Sequence, residues 1–99
     1  MKFGLYLRRC RLDASLTQKQ LARSCGLSDA YVNRLENQEA DPPTHEVCAA
    51  FARVLGVDEK VLWKRAFVAR LDRWLRKEGF KKTPEGLASA FFDDLAHRQ

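Results

Sequence analysis

The sequence predicts an all-α fold. Apolar residues recur at three- and four-residue spacing in successive segments, and capping residues precede them at Thr17, Ser28, Thr44 and Asp58. Gly26, Gly56 and Gly79 stand where helices should stop. The resulting architecture is five helices, the fifth extended, with a further helix added at the C-terminal end.

The first helix, about Phe3 to Asp13, aligns Phe3, Leu7 and Cys10 on one face, with Arg8, Arg9 and Arg11 around it. Ser15 and Leu16 form the turn. Thr17 and Gln20 make a capping box for the second helix, whose Leu21 and small Ala22 face inward. Gly26 supplies the left-handed conformation that ends it. Ser28 caps a third helix with Val32 and Leu35 inward and Asp29, Ala30, Asn33 and Arg34 on the opposite face. A loop from Asn37 to Pro43 follows.

Thr44 then caps a fourth helix to Leu55, whose core face is Cys48, Phe51, Ala52 and Leu55. After the stop at Gly56, Asp58 caps a fifth helix that nothing breaks before Gly79, a run of about twenty residues. On it Trp63, Phe67, Leu71 and Trp74 recur at spacings of four, four and three, with Val61, Val68 and Leu75 on an adjacent line. Part of this stripe must leave a core this small. Thr83 and Pro84 start the sixth helix, with Leu87, Ala88, Phe91, Phe92 and Leu95 on one face.

Ninety-nine residues are expected to make one folding unit, without a separate ligand-sensing domain. The formal net charge of +5 favours a polyanionic partner, and the stretch from Lys64 to Lys82 carries eight basic residues against Asp72 and Glu78. No apolar run is long enough to span a membrane, and the start MKFGLYLRRCRL interleaves charge with apolar residues, so a cytoplasmic protein is expected. Cys10, Cys25 and Cys48 cannot all pair within one chain and lack zinc spacing; small buried hydrophobes in a reducing compartment is the reading they support.

Two short amphipathic helices meeting at a turn built on Gly26 are suited to placing one helix in a DNA major groove. The segment TQKQLARSCGLSDAYVNRLEN resembles the helix-turn-helix of the phage Cro and repressor family, also called the XRE type. The matching residues are Thr17, Gln18, Leu21, Ala22, Gly26, Leu27, Ser28, Val32, Leu35 and Glu36. The likeness extends to FGLYLRRCRL before it and PPTHEVCAAFARVLGVD after it, about two-thirds of the chain. It implies a repressor-like DNA-binding domain over residues 1–65, with residues 66–99 as a helical extension for dimerisation or partner binding. It also implies a structural ion pair between Arg11 and Glu36 that orients the third helix, and a phosphate contact from Gln18. The chain departs from the pattern in its long fifth helix, at Asp29, and at Gln38, where glycine is usual; Asn37 is expected to take the left-handed position instead.

By position on the third helix, Asp29, Ala30, Asn33 and Arg34 would read bases. Arg34 can bond guanine O6 and N7, or instead contact phosphate or pair with Asp29 or Glu36. Asn33 can pair with adenine N6 and N7, and Ala30 can touch a thymine methyl. Asp29 either accepts from cytosine N4 or only strengthens the helix start. Gln18, Ser28 and Tyr31 are placed at the DNA backbone, Tyr31 alternatively packing against the first helix.

These readings lead to a dimeric repressor on an inverted-repeat operator in double-stranded DNA. The Trp63, Phe67, Leu71 and Trp74 stripe, with Leu87, Phe91, Phe92 and Leu95, would form the dimer surface or bind a partner protein, as antitoxins of related fold do. A membrane-surface role for the basic fifth helix ranks last, because its tryptophans fall on a stripe that a helical core uses. No enzyme, cofactor or metal is expected: His45 and His97 lack partners at metal or triad spacing, and there is no glycine-rich phosphate loop.

Overall fold

A computed structural model describes residues 2–79. These form five α-helices: α1 Phe3–Asp13, α2 Gln18–Ser24, α3 Asp29–Glu36, α4 His45–Leu55 and α5 Glu59–Lys77. The expected sixth helix, with Leu87, Phe91, Phe92 and Leu95, lies outside the described residues. The helix starts follow the local chemistry of the sequence. Thr17 accepts from the Gln20 amide at 3.0 Å while the Gln20 side chain accepts from the Thr17 amide at 2.9 Å, completing the capping box. Thr44 accepts from Val47, and Asp58 from Lys60 and Val61.

The first four helices close in one way: a residue in the left-handed region lets the next amide reach back five residues to a carbonyl. At Gly26 and Gly56, φ is 70° and 71°, and Leu27 and Val57 both donate to the carbonyl five residues earlier, at 2.8 and 3.1 Å. Ser15 and Gln38 do the same at φ 58°, sending Leu16 to Arg11 and Glu39 to Arg34. This corrects the expectation for the loop after α3. Asn37 keeps φ −91° and Gln38 takes the left-handed position, because the Glu39 to Arg34 bond fixes which residue must turn.

The core gathers Phe3, Leu7 and Cys10 of α1, Leu21 and Ala22 of α2, Val32 and Leu35 of α3, and Cys48, Phe51, Ala52 and Leu55 of α4. Cys10 and Cys48 are buried, and burial pushes the Cys48 thiol up to about 11, so it stays protonated and inert. Cys25 differs from expectation in being only half-buried. The fifth helix meets the core through buried Leu62 and Ala66, with Val68 also buried, and of the tryptophan line Trp63 packs against the core while Phe67 and Trp74 leave it. Trp63 is half-buried, edge-on to His45 and Phe67 at ring distances of 5.1 and 5.8 Å, while Phe67 is 37% and Trp74 54% exposed. Small Ala66 permits the close approach of α5 that an aromatic ring at that position would prevent. Arg65 seals the α1 side, 4.1 Å above the Tyr6 ring.

Gly4 carries a constraint that the amphipathic pattern of α1 does not display. A Cβ there would collide with the Leu35 carbonyl oxygen and lie 2.7 Å from that of Glu36, so α1 crosses the end of α3 backbone against backbone. Alanine at an ordinary helix position stabilises by about 1 kcal/mol over glycine. At Gly4 the overlap is with main chain and outweighs that gain: Gly4→Ala is expected to lower stability by roughly 1–3 kcal/mol, the usual range for overpacking. Thermal unfolding followed by circular dichroism measures this, and a raised melting temperature would show that the contact is loose.

Candidate nucleic-acid interface

The interface is built on α2 and α3, which pack against each other through Leu21, Ala22, Val32 and Leu35. Ser28 accepts from the Tyr31 amide at 3.1 Å, which fixes where α3 begins and hence which side chains face out. Asp29, Ala30, Asn33 and Arg34 are all exposed, on the side away from Val32 and Leu35. The structure thus brings the four expected base-reading residues onto one surface. Arg34 pairs with neither Asp29 nor Glu36; the Glu36 carboxylate is turned inward to another partner.

That partner is Arg11. Its Nε donates to Glu36 Oε2 at 2.6 Å and its Nη2 to Oε1 at 3.0 Å, a bidentate pair whose side chains are 9% and 2% exposed. Arg11 Nη1 donates to the Leu16 carbonyl at 2.8 Å, so one guanidinium ties α1, the turn into α2 and the end of α3. The hydrogen bonds that Arg11 donates to Glu36 raise the Arg11 pKa, against the opposing effect of burial.

Sequence reasoning missed how far this pair extends. Gln18 Nε2 donates to Glu36 Oε1 at 3.1 Å, Asn33 Nδ2 donates to Gln18 Oε1 at 3.2 Å, and Asn37 Nδ2 donates to Asn33 Oδ1 at 3.2 Å. A relay of side chains therefore runs from the buried pair to the exposed face of α3. Each amide group has a second N–H, so Gln18 and Asn33 both keep a donor for a ligand. Gln18 sits in the first turn of α2, where backbone amides also point outward. Tyr31 is half-buried against the core; burial raises its pKa, with Cys48 and Asp41 acting in the same direction and Arg70 and Arg34 opposing.

A family model described as "Helix-turn-helix domain" matches residues 2–63. The chain belongs to this helix-turn-helix family, of the XRE/Cro-like type. No curated protein and no solved structure matches it. The helix-turn-helix match ends inside α5, which runs unbroken to Lys77. Among the described residues no helix is long and apolar enough to cross a membrane.

Because the Arg11–Glu36 pair is buried, removing either charge strands the other, a cost of roughly 3–5 kcal/mol. Glu36→Leu and Arg11→Met should each destabilise the helix-turn-helix by about that amount. The double variant should lose distinctly less than the sum. Urea unfolding of the four proteins measures the coupling; strictly additive losses would mean that the two charges do not depend on each other.

Proposed function

We propose that this protein is a sequence-specific transcriptional regulator, a dimeric repressor whose α3 enters the major groove of an inverted-repeat operator. The observation that carries the reading is the exposed face of Asp29, Ala30, Asn33 and Arg34 on a helix anchored at its C-terminal end by a buried ion pair. Arg34 has the fork geometry to bond guanine O6 and N7, and Asn33 the paired donor and acceptor for adenine; each bidentate contact contributes roughly 1–3 kcal/mol of discrimination. Ala30 meets a thymine methyl. Asp29 accepts from cytosine N4 or serves the helix start alone. Gln18, with the first amides of α2, grips a phosphate and fixes the register, helped by Ser28 and Tyr31.

Residues 66–99 carry the dimer in this reading. Half-exposed Trp74 and Phe67, on one line of α5 with Trp63 and Leu71, supply the apolar surface that a two-fold contact needs. Residues Leu87, Phe91, Phe92 and Leu95 give it a complementary apolar set in the sequence. The same exposed Trp74 supports the second reading, an antitoxin-like or adaptor protein that holds a partner protein on this surface.

Selection of bound sequences from a random DNA pool should return a palindrome with half-sites about 10–10.5 base pairs apart, or a multiple of that spacing. Arg34→Ala should then relax preference at one base position. Gln18→Ala should weaken binding to every sequence and, through its bond to Asn33, loosen the neighbouring position. Salt-sensitive binding with no sequence preference would sink the specific-regulator reading. A monomer by light scattering that copurifies in fixed ratio with another protein, and loses it on Trp74→Asp, would favour the second reading.

A further inference from the structure

The loop joining α3 to α4 poses an electrostatic problem for a protein that puts α3 into DNA. From Asn37 to Thr44 it carries Glu39 and Asp41 and no lysine or arginine. Pro42 and Pro43 remove two backbone N–H groups as well. Chain leaving a helix in the major groove passes beside the sugar–phosphate backbone, where acidic side chains and missing donors oppose binding.

The fifth helix lays two guanidinium groups over this loop. Arg70 Nη2 donates to the Pro42 carbonyl at 2.7 Å, and Arg73 Nη1 donates to the Ala40 carbonyl at 3.1 Å. Arg73 Nε also pairs with Asp41 Oδ1 at 3.0 Å, with the Arg73 side chain still 50% exposed. An arginine has five N–H donors, so Arg70 retains four and Arg73 three after these bonds. Three residues apart on the helix, the two share a face.

We propose that Arg70 and Arg73 of α5 form a DNA-backbone site, supplying to the phosphates flanking the α3 groove the positive charge and the donors that the α3–α4 loop lacks. This rests on the reading that α3 enters the major groove. Arg73 neutralises Asp41, the carbonyl bonds hold both side chains in place, and the remaining N–H groups donate to phosphate oxygens. The extension beyond the helix-turn-helix match is thereby part of the binding surface in addition to any role in assembly.

The test is a sodium chloride titration of binding to a mixed-sequence DNA duplex, which requires no knowledge of the operator. Each lost phosphate contact lowers the slope of log affinity against log salt by about 0.9, and affinity about tenfold near 0.1 M salt. Arg70→Gln with Arg73→Gln should therefore reduce the slope by nearly two, while the paired lysine variant, which keeps the charge, should retain it. Asp41→Asn should bind more tightly, because Arg73 then faces phosphate without a competing carboxylate; this arm also decides the question if the double glutamine variant melts early. An unchanged slope in a folded glutamine variant, or no gain from Asp41→Asn, overturns the site while leaving α3 as the reader. A parent protein whose duplex binding ignores salt overturns both readings.

Discussion

Much of this structure depends on one guanidinium held against one carboxylate. Arg11 and Glu36 are both withdrawn from water, an arrangement that recovers its desolvation cost only when the pair is bidentate and the remaining polar groups find partners. Here they do: Leu16 accepts from the third nitrogen of Arg11, and Gln18 donates to the oxygen that Arg11 Nη2 also reaches. Burial of this kind adds little net stability over an apolar substitute, but it fixes geometry. It allows α3 one orientation against α1, and the backbone contact at Gly4 closes the same junction.

The relay beyond the pair links folding to the proposed base-reading face. Asn33 belongs to the face that faces outward, yet its amide is oriented by Gln18, and Gln18 by Glu36. A side chain with several rotamers would lose entropy on meeting a base edge; one already held by two hydrogen bonds has met part of that cost on folding. Among the described residues, Arg34 makes no such side-chain hydrogen bond. Of the four candidate base readers, Asn33 is thus preset by its hydrogen bonds and Arg34 is not held in that way.

What the sequence revealed follows the range of the interactions involved. Caps at Thr17, Ser28, Thr44 and Asp58 were legible because a cap is made within three residues. The outward face of α3 was legible for the same reason, since it is what remains once Val32 and Leu35 turn inward. Gln38 was not, because glutamine has no intrinsic claim on the left-handed region and takes it only where the helix end demands. Gly4 was missed although a glycine inside a strongly patterned helix is a usable signal of close backbone approach. The bonds from Asn33 to Gln18 and from Arg70 and Arg73 to the loop span 15, 28 and 33 residues, and no local pattern encodes them.

The fifth helix divides two similar stripes between the core and the surface. Two stripes run along it with identical spacing, offset by a single residue: Leu62, Ala66, Arg70 and Arg73, and Trp63, Phe67, Leu71 and Trp74. A hydrophobicity pattern favours the second, which stays apolar throughout. Of that aromatic stripe only Trp63 packs against the core, which buries the first two residues of the other stripe, Leu62 and Ala66. Where α5 passes the edge of the core, that stripe changes from apolar to cationic and meets the carbonyls of Ala40 and Pro42. One side of a continuous helix is therefore packed against the domain along its length, first by burial and then by hydrogen bonds. This leaves the aromatic stripe, one residue and about 100° around the helix, as the side that can serve assembly. A partner gripping that stripe would hold the same helix that holds the loop leaving α3, so in the proposed reading assembly and groove docking would share one element.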